Sequence, residues 1–117
     1  MQIKERIENQ IAILTLTGPL LCEPDTMKLR ERVYKLIEEK IVRLVIDLEG
    51  LTYINSCGLG LLIAIYTSLR KVGGDVRLVQ IGDNVQNLFA ITQLTKVFST
   101  FRSVEDAVAS FHSSMRS

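Results

Sequence analysis

Asp47-Leu48-Glu49-Gly50-Leu51-Thr52-Tyr53-Ile54-Asn55-Ser56-Cys57-Gly58-Leu59-Gly60 is the stretch on which the fold turns. Just before it, Ile41, Val42, Leu44, Val45 and Ile46 form a nearly continuous apolar run. Such a run suits a central strand covered on both faces, here ending at Asp47. Glu49 to Asn55 reads as a loop, and a helix follows from Ser56 to Val72, stopped by Gly73-Gly74 as a left-handed C-cap. Asn55 suits the N-cap, because its side-chain oxygen accepts from a free N–H of the first turn. Ser56 then holds the first helical position, with its hydroxyl near solvent among free N–H groups at the positive end of the helix dipole. A phosphate is electrostatically at home there. Gly58 and Gly60 each cost a helix about 1 kcal/mol relative to Ala. Two of them so early point to close approach by another backbone or by a partner. On spacing alone, ordinary capping and a helix lying close to a sheet explain these residues more readily than a functional site.

Working outward, the chain alternates between the two hydrophobic periods. Ile3–Glu8 reads as an edge strand with Ile3 and Ile7 on one face, followed by a turn at Glu8-Asn9-Gln10. Ile11–Thr17 is a β-branched strand ended by Gly18-Pro19. Pro24-Asp25 opens a helix to about Lys40, with Leu29, Val33, Leu36 and Ile37 on one face. Val76–Val79 is the next strand. Asp83, with Gln86 three residues on, starts a short helix carrying Leu88 and Phe89. Val97–Phe101 is a last short strand, and Ser103 caps a helix with the face Val104, Ala107, Val108 and Phe111. The order β-β-α-β-α-β-α-β-α predicts an α/β fold, a mixed sheet with about four helices packed on it, in one domain over residues 1–117. Val45, Ile46, Leu62, Leu69 and Leu78 are expected in its core. Function is expected beyond the carboxyl ends of the strands, where the loops Gly18–Glu23 and Glu49–Asn55 emerge.

Composition narrows the function. The 117 residues carry 14 Lys plus Arg against 13 Asp plus Glu, so no basic excess marks a nucleic-acid binder. Hydrophobic residues make up 47%, enough for a packed core. Cys22 and Cys57 form no C-x-x-C pair and read as free thiols in a reducing cytoplasm. Met1-Gln2-Ile3-Lys4-Glu5-Arg6 has no signal-peptide core, and the longest apolar run, Gly58 to Tyr66, is under half a membrane span. A cytoplasmic protein without membrane insertion is expected.

No enzyme constellation emerges. Gly58-x-Gly60 lacks the third glycine of a dinucleotide site, and no G-x-x-x-x-G-K-[ST] loop is present. A helix N-terminus activates a cysteine, but a cysteine phosphatase would need Arg six residues after Cys57, where Ile63 stands. One histidine, His112, with two scattered cysteines makes no metal site. No catalytic residue, cofactor or metal is expected.

Asn55-Ser56-Cys57-Gly58-Leu59-Gly60 after a buried strand resembles the Asp-Ser-[Ser/Thr]-Gly-x-Gly signature of the STAS domain, most closely in the bacterial anti-sigma-factor antagonists. The resemblance spans nearly the whole chain: the element order, Gly18 after the second strand, the Gly73-Gly74 stop and Asn87-Leu88-Phe89. It implies a STAS-like fold and a partner-switching regulator of transcription. In that family an anti-sigma factor with serine kinase activity phosphorylates the first serine of the signature. The unphosphorylated antagonist binds that factor and frees the sigma factor, and a serine phosphatase reverses the modification. By position the phosphorylated residue is Ser56. Three departures stand out: Asn55 replaces the family's acidic residue, Cys57 replaces the second Ser/Thr, and Pro19-Leu20-Leu21-Cys22-Glu23 is a more apolar loop than usual.

On the helix, Gly58, Leu62, Ile65 and Leu69 cluster on the core side, with Gly60, Ala64, Thr67 and Lys71 opposite. Leu59 and Ile63 lie between and lean outward. They are either a partner-binding strip, together with Leu21, Cys22 and Glu23 of the neighbouring loop, or packed under a neighbouring element. A second function on the same fold is an accessory subunit of a lipid-transport ATPase complex. A third is a thiol enzyme using Cys57.

Overall fold

The computed structural model describes residues 1–82, 86, 89 and 98–115. Strand β1 (Gln2–Glu8) runs antiparallel to β2 (Ile11–Leu20), from Gln2 opposite Thr17 to Glu8 opposite Ile11. Asn9 and Gln10 make the tight turn, both at positive φ (50° and 69°), as a two-residue hairpin matched to the strand twist requires. After α1 (Asp25–Glu38), strand β3 (Arg43–Ile54) pairs in parallel with β2. After α2 (Ser56–Lys71), strand β4 (Asp75–Val79) adds in parallel to β3. Strand β5 (Ser99–Phe101) completes the order β1-β2-β3-β4-β5, and α3 (Val104–Met115) follows. Gln86 and Phe89 are helical. The expected cap at Asp83, the positions Asn87 and Leu88, and Val97 lie outside the described residues.

The sheet is covered on both sides, and period-2 alternation sorts its side chains between them. On one side, Leu14, Leu16, Leu44, Ile46, Leu48, Val76 and Leu78 meet Leu29, Val33 and Leu36 of α1 and Leu62, Ile65 and Leu69 of α2. On the other, Ile11, Ile13, Val45 and Val79 meet Ala107 and Phe111 of α3. All five residues expected in the core, Val45, Ile46, Leu62, Leu69 and Leu78, are buried. Arg77 crosses to the second side as a buried cation. It pairs with Asp75, donates from Nε to Ser110 Oγ at 3.0 Å, and lies 4.4 Å from the centre of the Phe111 ring. The ion pair, the hydrogen bond and the ring face together compensate for taking that charge out of water.

Two expected boundaries are corrected. Gly18-Pro19 does not end β2, which continues to Leu20. Glu49–Asn55 is not a loop, because β3 remains a strand to Ile54. Beyond the bulges at Thr15/Thr17 and Gly18/Pro19, the pairs Thr17–Gly50, Gly18–Leu51, Pro19–Tyr53 and Leu20–Ile54 extend the ladder. Pro19 is tolerated because β1 pairing starts at Thr17, so Pro19 stands on a free edge where no amide donor is needed. Gly18, at φ +92°, supplies the conformation of the bulge. Pairing with β4 also stops at Asp47, so the ends of β2 and β3 project past the sheet as a two-stranded ribbon. That ribbon positions the site.

Candidate functional site

The ribbon delivers two segments side by side. From β2 comes the loop Leu21–Pro24, leading into α1. From β3 comes Asn55, the only residue between the strand and α2. Asn55 has extended backbone (φ −108°, ψ −174°), and its side-chain oxygen accepts from the Gly58 N–H at 3.1 Å. Its carbonyl accepts from the Leu59 N–H at 3.0 Å, the first bond of the helix proper. Asn55 is therefore the N-cap read from the sequence, and Ser56 stands at the first helical position with an exposed side chain. The first turn of α2 carries no acidic residue and its last turn carries Arg70 and Lys71. The dipole is thus complemented at the C-terminal end and open at the end where Ser56 sits.

Gly58 is explained by what surrounds it. A Cβ there would fall 2.7 Å from Ile54 Cγ1 and 2.8 Å from the Leu20 carbonyl oxygen, so only glycine lets α2 start this close to the ribbon. Gly60 is different: nothing lies within 4 Å of where its Cβ would be. Ser56, Gly60, Ile63, Ala64 and Thr67 are all exposed, and their spacing puts them on one face of the helix. That face is smooth, small and partly apolar. The ribbon adds Leu21 at 38% and Tyr53 at 59% exposure. The exposed Tyr53 was missed in the sequence, because a loop residue carries no orientation, whereas a strand residue opposite Pro19 does.

Two expectations about these residues are corrected. Leu59 does not lean outward: it is 8% exposed and belongs to the main core. Ile63, at 40%, is the exposed apolar residue of the pair. Nor are Cys22 and Cys57 free thiols. They form a disulfide, with Cα atoms 5.0 Å apart across 35 residues of sequence. The ribbon brings them together by holding Leu20 beside Ile54, two and three residues before the cysteines. A catalytic Cys57 thiol is accordingly unsupported. The Asn55 side-chain amide also faces Cys22 Sγ at 3.7 Å, and the Asn55 N–H reaches the Leu20 carbonyl at 3.4 Å. Leu21, Cys22 and Glu23 are exposed, and the disulfide fixes the middle of that loop to the first turn of α2. Among the described residues, no group of three or more His, Cys, Asp or Glu is placed to hold a metal ion. No helix among them is long and apolar enough to cross a membrane.

A strand passing through a single capping residue into a helix that presents Ser-x-Gly-x-Gly at its start is the geometry the sequence resemblance implied. The STAS domain model matches residues 2–107, and the chain belongs to the STAS domain family. BtrV of Bordetella bronchiseptica, named for anti-sigma factor antagonism, is 33% identical over 73 residues, covering 62% of this chain and 63% of that protein. The chain thus spans less than two thirds of this curated relative. Among solved structures, a Thermotoga maritima protein described as an anti-sigma factor antagonist superposes with a TM-score of 0.85 at 18% identity, covering 92% of each chain. The phosphorylated form of the Bacillus cell fate determinant SpoIIAA superposes with a TM-score of 0.76 at 17% identity, covering 94% of this chain and 99% of that one. At these identities the structural matches establish the fold.

Proposed function

We propose that this protein is an anti-sigma-factor antagonist, a partner-switching regulator of transcription acting in the cytoplasm and performing no catalysis of its own. With Ser56 unmodified it binds an anti-sigma factor that is also a serine kinase. Phosphorylation of Ser56 releases that partner, and a serine phosphatase restores binding. The observation that carries this reading is the exposed Ser56 hydroxyl at the first position of α2, at the head of the smooth face Gly60–Ile63–Ala64. The names of the relatives favour it over an accessory subunit of a lipid-transport ATPase complex.

The switch follows from charge. Phosphate adds about −1.5 to −2 units and three acceptor oxygens. At a helix N-terminus that charge is stabilised by dipole and amides, typically by about 0.3–1 kcal/mol, so the fold has no reason to melt. A docked partner would have to bury an unpaired dianion. That costs several kcal/mol and lowers affinity by orders of magnitude.

The test is to incubate the protein with each purified anti-sigma kinase of its host and labelled ATP. Wild type should be labelled and Ser56→Ala should not. The phosphoprotein should keep its melting temperature and its amide spectrum away from Asn55–Gly60 while losing the kinase. Equal labelling of Ser56→Ala would remove Ser56 from the mechanism. Amide shifts spread across the sheet would replace electrostatic exclusion with a conformational change.

A further inference from the structure

The disulfide lies directly beside the proposed switch. Cys57 is the residue after Ser56, and Cys22 is the middle of the exposed segment Leu21–Glu23 beside it. Both cysteines are exposed. Exposed disulfides exchange readily with other thiols, whereas buried structural ones resist.

The fold does not need this bond to bring the two segments together. The ladder pair Leu20–Ile54, the Asn55 N–H on the Leu20 carbonyl and the packing of Gly58 on Leu20 already do so. What the bond adds begins one residue later. Leu21 donates its N–H to Asp25 Oδ2 at 3.3 Å, and the Cys22 carbonyl accepts from the Asp25 N–H at 3.1 Å. Both of these contacts tie the loop to the start of α1. Among the described residues, the covalent and hydrogen-bond ties from the loop to α2's start are the disulfide and the 3.7 Å contact of the Asn55 amide with the same Cys22 sulfur. Reduction therefore removes the covalent tie between Leu21–Glu23 and the first turn of α2, leaving the weak Asn55 contact there and the two bonds to Asp25.

We propose that Cys22 and Cys57 are a reversible redox pair that sets the affinity of the Ser56 face for its partner: oxidised, the loop is held as part of that face; reduced, it is released. The proposal rests on the reading of this face as the anti-sigma-factor surface. The oxidant is a disulfide of the glutathione class. One cysteine thiolate attacks it, forming a mixed disulfide and expelling one glutathione thiolate. The second cysteine thiolate then attacks the protein sulfur, closing Cys22–Cys57 and expelling the other. Two electrons pass from the protein thiols to the oxidant, and their two protons end on the two glutathione thiols. A small dithiol or reduced glutathione runs the exchange backwards. Holding a surface loop in its bound arrangement removes an ordering cost from association. The oxidised form should accordingly bind about five- to tenfold more tightly, the effect of ordering one or two side chains.

The full-length chain is equilibrated in glutathione buffers from fully oxidised to fully reduced, trapped with a maleimide, and read by mass. Deuterium uptake is followed over residues 19–24, 55–60 and, as a control, 11–16. Affinity for each purified anti-sigma kinase of the host is measured in both states, and for Cys22→Ser. The expected result is a transition within the buffer series, with faster uptake at 19–24 but not at 11–16 on reduction. Affinity falls five- to tenfold, and Cys22→Ser, measured in reduced buffer so that Cys57 carries no glutathione, shows the low affinity. A pair that stays oxidised in fully reduced glutathione is a structural bond and overturns the proposal. So does equal uptake at 19–24 in the two states. Equal affinity of both states for a kinase that labels Ser56 overturns the redox proposal and leaves the antagonist reading standing. If no host kinase binds or labels either state, the antagonist reading falls and takes the affinity claim with it. Should Cys22→Ser fail to fold, reduction of wild type makes the same comparison.

Discussion

Helix α2 has two faces under opposite constraints. On the inner one, Leu62, Ile65 and Leu69 are 0%, 3% and 1% exposed, and Gly58 lies against Leu20 and Ile54 with no room for a methyl group. Each of those residue choices is dictated by the sheet beneath. On the outer one, Ile63 is 40% exposed and Gly60 faces open space. The domain gains nothing from either: an exposed isoleucine is not stabilised by burial, and glycine in a helix interior costs about 1 kcal/mol against alanine. The inner face is explained by this chain alone. The outer face, which nothing in the domain requires, is where the proposed partner would dock.

The largest effect expected is on the inner face. Leu62→Ala removes a fully buried side chain from the main core and should destabilise the domain by about 2–5 kcal/mol in denaturant melts. A change within about 0.5 kcal/mol would be the response of a surface site and would erase the distinction between the faces.

The outer face should respond in binding instead. Ile63→Asp places a charge at an exposed position, so the melting transition should stay close to wild type. Affinity for the anti-sigma kinase should drop by at least about 2 kcal/mol, roughly thirtyfold, as for a charged anchor under a partner. A folded Ile63→Asp variant that binds as wild type would show that the partner covers some other surface.

How much of this was legible in the chain follows the same division. Hydrophobic patterning located β2, β3 and β4 as runs buried on both faces and α1 and α2 as helices buried along one, while the mostly exposed β1 was legible from Ile3, Ile7 and the turn after it. The patterning also identified Leu62 and Leu69 as core. The cap at Asn55 and the position of Ser56 were legible because the capping residue and the glycines are local chemistry. What failed was non-local. Gly18-Pro19 and Glu49–Asn55 look like breakers in isolation, and only their pairing with each other makes them strands. The same ribbon joins Cys22 to Cys57. The separation of 35 residues between those cysteines encodes nothing about their proximity.

The smallest and most discriminating comparison uses one substitution at two positions two residues apart. At Gly58, alanine would gain about 1 kcal/mol of helix propensity. It would also place a Cβ 2.8 Å from the Leu20 carbonyl oxygen, a backbone atom of the ribbon, and 2.7 Å from Ile54 Cγ1. Overpacking of that kind costs about 1–3 kcal/mol, so Gly58→Ala should be neutral to destabilising in spite of propensity. At Gly60 the same methyl group meets nothing within 4 Å, so only the propensity gain of about 0.5–1 kcal/mol remains and the isolated domain should melt slightly higher. If Gly60 is glycine because a partner backbone comes within contact of the helix there, Gly60→Ala should weaken the complex several-fold while stabilising the free protein. Stability and affinity then move in opposite directions for one methyl group, which a purely intramolecular role for Gly60 does not produce. Gain of stability with unchanged affinity would mean that no partner approaches α2 closely at this turn, and the docking surface would have to be confined to Ser56, Ile63 and the Leu21–Glu23 loop.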